Sequence, residues 1–238
     1  MFAMKWIVSI VPNELLRLAE HCFDLPIRGV VRKCPSLFIH IPRCAGTRIN
    51  MVLYGRFIGH RTALWYKIAD PRLFERKYKF AVVRDPVDRF VSAFFFLQAG
   101  GTADVPASPR TTKLIRKFKS IDEFMGCVDR ENMPLKKLDP VFHAQSDYVL
   151  DEHGRLIVDD LFVLDEISGK NLSIPDHVID MGIVTNNSDA EKAVLDNGAI
   201  ERFVLHHYAS DHDLLAKHSG KQPRRITADN QIIAKLCS

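Results

Sequence analysis

Two strand–turn–helix units of the same polarity, followed by further apolar runs alternating with helical patterns, place this chain in the α/β class. The expected architecture is a central parallel sheet flanked by helices. Of the 238 residues, 47% are hydrophobic and 26% charged, which is enough to bury a core and sets aside disorder, collagen-like and low-complexity architectures. No repeat or linker divides the chain, so a single domain over 1–238 is expected. The longest apolar runs, 6–11 and 90–97, fall short of the roughly 18 residues that cross a bilayer. No transmembrane segment is expected, while peripheral contact with a membrane stays open.

The elements follow in order. Residues 13–20 carry an amphipathic helix pattern with Asn13 as N-cap. The stretch before them has one lysine, a short apolar run and no convincing cleavage site, so no signal peptide is read. Residues 37–41 (LFIHI) form a buried strand ahead of a Pro/Gly-containing turn, and 47–54 have helical spacing with Ile49, Val52 and Leu53 on one side. Residues 79–83 (KFAVV) form a second buried strand. Pro86 then opens a helix capped by Asp85, which runs to about Leu97 and is apolar nearly all round. The segment 98–110 is the best candidate for a mobile loop. Residues 147–158 resemble strand, turn and strand, 161–164 are another apolar run, 199–218 look helical, and the tail from about 220 is polar and loosely held.

A formal charge of +4 permits an anionic substrate without demanding nucleic acid. The five cysteines are an odd number with no C-x-x-C pair, which fits reduced thiols in a cytoplasmic protein. No ligand cluster suggests a metal; His206, His207, His212 and His218 read as the surface of a helix.

Two segments carry chemistry. In the first, FIHIPRCAGTR at 38–48, a strand meets a tight turn and a helix start. Successive backbone N–H groups there form a nest for an anion, aided by the helix dipole. Gly46 lets the backbone approach closely, Thr47 offers a hydroxyl and Arg43 a full charge. The Walker pattern G-x-x-x-x-G-K-[ST] is absent. In the second, FAVVRDPVDRFVSAF at 80–94, Arg84 leaves a strand at its carboxyl end, where open α/β sheets bind ligands. Arg84 and Ser92 can hold a second phosphate, the arginine by forked, charge-assisted bonds. Taken singly, the first segment also fits an ordinary turn, and the second an Arg84–Asp85–Arg89 cluster capping a core helix.

Together, I-P-R-x-A-G-T resembles the 5′-phosphosulfate loop of the sulfotransferases that use 3′-phosphoadenosine 5′-phosphosulfate (PAPS), and V-V-R-D-P-x-x-R-x-x-S-A-F resembles their 3′-phosphate motif. The likeness is to the carbohydrate (Golgi-type and bacterial) branch. GHRTA at 59–63, QSDY at 145–148, Glu166 and YASDHDLL at 208–215 agree with it, so the resemblance spans about 36–216. It implies a P-loop-like, three-layer α/β fold and sulfuryl transfer from PAPS to a carbohydrate or glycoconjugate hydroxyl, without a metal. Residues Arg43, Cys44, Ala45, Gly46, Thr47 and Arg48 would hold the phosphosulfate, and Arg84 and Ser92 the 3′-phosphate. Arg43 would also serve catalysis, with His60 or His143 as the base. Glu166 would orient a histidine or the acceptor, or cap a helix. Arg43, Cys44 and Arg48 stand where the family usually has lysine, threonine and often serine. A PAP- or glycan-binding member without turnover is therefore one alternative, and a P-loop nucleotide kinase another. Acceptor contacts are expected between about 98 and 140, where Lys113, Arg116, Lys117 and Lys119 hint at an anionic glycan.

Overall fold

The computed structural model describes residues 25–102, 105–182 and 197–217. The helix expected at 13–20 and the tail from 220 lie outside the described residues. Helix α1 (Leu25–Lys33) leads into β1 (Ser36–Ile39), α2 (Gly46–Tyr54), α3 (Ala63–Ala69), α4 (Pro71–Arg76) and β2 (Tyr78–Val83). Then come α5 (Pro86–Ala99), α6 (Pro109–Ile115), α7 (Ile121–Arg130), α8 (Leu135–Leu138), a 3₁₀ turn (Pro140–Phe142) and α9 (Ser146–Val149). The remainder is β3 (Asp160–Val163), α10 (Leu164–Ile167), β4 (Asn171–Ile174), β5 (His177–Asp180), α11 (Asn197–His207) and α12 (Ala209–Ala216).

The sheet has the order β1-β2-β3 and is parallel throughout, with Phe38 opposite Phe80 and Phe80 opposite Asp160. The two apolar runs read as buried strands are thus neighbouring parallel strands. Their near-continuous hydrophobicity follows from burial on both faces: every residue of β1 is buried, as are the last four of β2. All three strands point the same way, so the loops after β1, β2 and β3 emerge at one edge of the sheet.

Helix α5 begins as its sequence dictates. Pro86 occupies the first turn and the Asp85 carboxylate accepts from the Asp88 amide at 3.0 Å. Its buried face sends Phe90 and Phe94 into an aromatic cluster with Phe124 of α7, Phe142 and Phe203 of α11.

Three expectations are corrected. The stretch 147–158 is not a strand–turn–strand: 146–149 is a helical turn, and only Leu150 and Leu156 pair as an antiparallel bridge. The cause is distant in sequence, because the Asp211 carboxylate takes the amides of Gln145 and Ser146, both at 2.9 Å, and starts a helix there. The helix expected over 199–218 breaks at Tyr208, whose hydroxyl is drawn to the Phe142 carbonyl at 2.9 Å. In α2 the buried face is Ile49, Asn50 and Tyr54, while Val52 is 48% exposed.

Candidate active site

The carboxyl edge of the sheet opens into a cavity of about 850 Å³. The loop after β1 supplies His40, Pro42, Arg43, Ala45, Gly46 and Thr47 to its wall, the residue after β2 supplies Arg84, and the residue after β3 supplies Leu164. Ser92, Phe95 and Phe96 reach it from α5, and His60, Phe57 and Asp139 from the connections.

The loop has an anion-binding shape. Arg43 (φ 67°) and Ala45 (φ 55°) are both left-handed without being glycine, a conformation that costs about 1 kcal/mol each. Ala45 is the N-cap of α2 and contributes no side-chain cap, so no cap side chain competes for the first amides of the helix, which sit at the positive end of its dipole. Gly46 meets a second demand besides backbone approach. A Cβ there would lie 2.0 Å from His40 Cδ2 and 2.3 Å from Nε2, so the loop can close only over a residue without a side chain.

Two guanidiniums face this loop. Arg43 donates to Ser92 Oγ from Nε (3.1 Å) and from a terminal nitrogen (3.0 Å), and its plane lies 4.5 Å from the centre of the Phe96 ring. Burial, then the nearby charge of Arg84, lowers its pKa to about 10, so it stays protonated at neutral pH. Arg84 is 4% exposed. Its backbone is clamped by the buried Gln145 amide, which accepts from Arg84 N and donates to Arg84 O, both at 2.8 Å. Its guanidinium lies 3.9 Å from the Asp88 carboxylate. Ser92, two turns along α5, lines the same cavity as Arg84 and also accepts from Arg43.

His60 faces the same space. Its Nδ1 lies 3.0 Å from the His40 carbonyl; a carbonyl only accepts, so Nδ1 carries the proton and Nε2 is left bare. Burial lowers the His60 pKa, opposed by that backbone bond and by the Asp139 carboxylate. The ring is therefore neutral at pH 7, with a lone pair available as a base.

The remaining expected residues lie elsewhere. The Cys44 side chain is buried behind the loop, donating to Gln145 Oε1 at 3.4 Å, and burial pushes its thiol up to about 12. Arg48 turns outward to Asp180 at 3.0 Å. His143 is outside the cavity wall: its Nε2 meets the Lys136 carbonyl at 3.0 Å, and its own carbonyl receives Arg89. Glu166 is exposed on α10, inside that helix and not at its cap position. Arg116 braces the end of α5 through the carbonyls of Gln98 and Ala99, while Lys113, Lys117 and Lys119 are exposed. Among the described residues no group of three or more His, Cys, Asp or Glu is placed to hold a metal.

His40, Phe57, Phe96 and Asp139 were not singled out from sequence. His40 had a usable signal, a polar residue inside an otherwise apolar buried run.

The profile of the sulfotransferase family matches residues 31–153, just over half of the chain. No curated protein and no solved structure matches it. The matched stretch contains the loop after β1, Arg84, Ser92 and His60, the groups gathered on this cavity, and the chain belongs to the sulfotransferase family.

Proposed function

We propose that the protein transfers a sulfuryl group from PAPS to a hydroxyl of a carbohydrate or glycoconjugate. The observation that carries this reading is the meeting, on one cavity, of two like-charged guanidiniums (Arg84 buried, Arg43 half-buried), uncapped helix amides and a histidine with a bare Nε2. Two cations drawn from water beside each other repel, and a ligand with two anionic groups relieves that cost. PAPS has two such groups and supplies an activated sulfuryl on a phosphate leaving group.

In this reading the amides at the start of α2, with Thr47, hold the 5′-phosphosulfate. Arg43 receives the charge that grows on the leaving phosphate oxygen, where a fixed cation lowers the barrier. Arg84 holds the 3′-phosphate, with Ser92 shared between that group and Arg43: its oxygen accepts from Arg43 while its proton remains to be donated. His60 Nε2 takes the acceptor's hydroxyl proton as the new S–O bond forms and the bond to phosphate breaks. His143, held by Lys136, is the less suitable base. The described cysteines are unpaired thiols, which supports a reducing compartment such as the cytoplasm.

The test is transfer from labelled PAPS across a panel of glycans and glycolipids, with binding of 3′-phosphoadenosine 5′-phosphate (PAP) followed in parallel. Labelled product on a sugar hydroxyl supports the reading. PAP binding with no product on any acceptor favours the non-catalytic alternative, for which the engagement of Arg43 by Ser92 and Phe96 is the relevant observation. Binding only of ATP with magnesium moves the function to phosphoryl transfer.

A further inference from the structure

We propose that His40 is a positioning residue, the link that holds the base His60 in one tautomer and registers it against the anion loop; this rests on the sulfotransferase reading above. His40 follows β1 directly and is 4% exposed. Its ring is anchored at Nδ1. Asn50, wholly buried on α2, places Nδ2 2.7 Å from His40 Nδ1. An amide nitrogen only donates, so Nδ1 accepts and the ring proton sits on Nε2. His40 reaches the base through its backbone. The carbonyl of the same residue accepts the Nδ1 proton of His60 at 3.0 Å. His40 is thus tied through its ring to α2 and through its carbonyl to His60. The edge of the ring that carries Nε2 lies where a Cβ of Gly46 would be, against the helix start that meets the anion.

The packing closes the arrangement. The ring centres of His40 and His60 are 4.2 Å apart, Phe57 meets both edge-on at 5.3 and 5.2 Å, and Phe38 stacks under His40. A base works when its lone pair, not its N–H, faces the proton to be removed, and the wrong tautomer costs orders of magnitude in rate even where the geometry is kept. With the ring's bond to Asn50 gone, the His40 carbonyl that selects Nδ1–H stays in the chain but loses its anchor to α2, and its alignment on His60 with it. His40 never touches the reacting atoms in this scheme. It acts through His60.

The experiment compares His40→Phe, His40→Gln and Asn50→Ala with the parent chain. The first keeps an aromatic ring without its nitrogens, the second keeps one donor and one acceptor, and the third removes only the tether from α2. Nitrogen-15 spectra of the His60 ring in the ligand-free protein report which nitrogen bears the proton. Calorimetry reports PAP affinity, and steady-state transfer separates kcat from KM. Expected in His40→Phe are mixed His60 tautomers and a fall in kcat of about tenfold or more, with PAP affinity and donor KM within about threefold. Glutamine should restore part of kcat. If His40→Phe does not fold, Asn50→Ala carries the same expectation with His40 in place. A folded variant that keeps a single Nδ1–H tautomer and the parent kcat overturns the proposal. The tautomer measurement needs no turnover, so a parent protein that sulfates nothing overturns the functional reading while the spectra still decide the role of His40.

Discussion

At the scale of single residues, the proposed function gives His60 the base work and Arg43 the charge work. His60→Ala should lower transfer by about 100-fold while leaving PAP affinity nearly intact, because a general base acts mainly in the transition state. Steady-state rates beside calorimetry check this. The pH dependence has a definite sign. The groups that act on His60 are His40 and Asp139, with Arg43 and Arg84 on the same wall. Its folded pKa lies below 6.5, so kcat/KM should persist down through pH 6.5 and fall only below it, where the imidazole takes its proton. An acid limb above 6.5 in the free enzyme would contradict this. Arg43→Lys restores the family's usual residue and should leave kcat equal or higher, since lysine gives up the paired hydrogen bonds to Ser92 but keeps the charge. Arg84→Ala should weaken PAP by about 1.5–3 kcal/mol, the worth of charge-assisted bonds to an anion, and narrow the preference over adenosine 5′-phosphate. Calorimetry on both nucleotides measures it.

At the scale of elements, the loop between β1 and α2 is the part least able to change. His40 is pinned by Asn50 at its ring and by His60 at its carbonyl, and cannot swing away from an added Cβ at position 46. Gly46→Ala should therefore destabilise the fold by about 1–3 kcal/mol, the range for overpacking, and abolish PAP binding with it. Gly126→Ala on α7 is the contrast. A Cβ there meets nothing within 4 Å, so the helix should gain up to about 1 kcal/mol. Urea melts of the two variants should move in opposite directions. These elements also mark what sequence could reveal. β1, β2 and α5 were legible because their signals are local: continuous apolar runs, and Asp85-Pro86 at a helix start. The helical turn at 146–149 was not, because its N–H groups are claimed by Asp211, more than sixty residues on. The break at Tyr208 depends in the same way on the Phe142 carbonyl. The candidate site was legible where charge and glycine define it. Asp139, whose role comes from what packs around it, was not, and His40 showed only as a polar residue inside an apolar run.

At the scale of the whole molecule, the cavity joins the ends of all three strands, so its occupancy and protonation reach global stability. PAP without magnesium should raise the melting temperature, by the equivalent of about 2.7 kcal/mol at a hundredfold excess over Kd. Protonation acts in the opposite sense. His40 is held well below 6.5 by burial and by its neighbour His60, and burial likewise lowers His60. In the unfolded chain both return to about 6.5. Between their folded pKa values and 6.5 the unfolded state therefore binds more protons than the folded one, so stability rises with pH in that window. Acidification from about pH 7 to about pH 5 should weaken the fold, and the loss from this pair should level off once pH passes below the folded values. Asp151 acts lower on the scale: Arg155 holds its carboxyl at about 2, so its contribution is full above 3.8 and is lost as pH falls from there through about 2. The intermediate window belongs to the histidines. Urea unfolding of the parent and of His40→Phe across that window tests the assignment. The variant, with one buried imidazole fewer, should show a shallower decline on acidification. Equal slopes in the two proteins would mean that His40 is not the buried, neutral group that its bond from Asn50 requires.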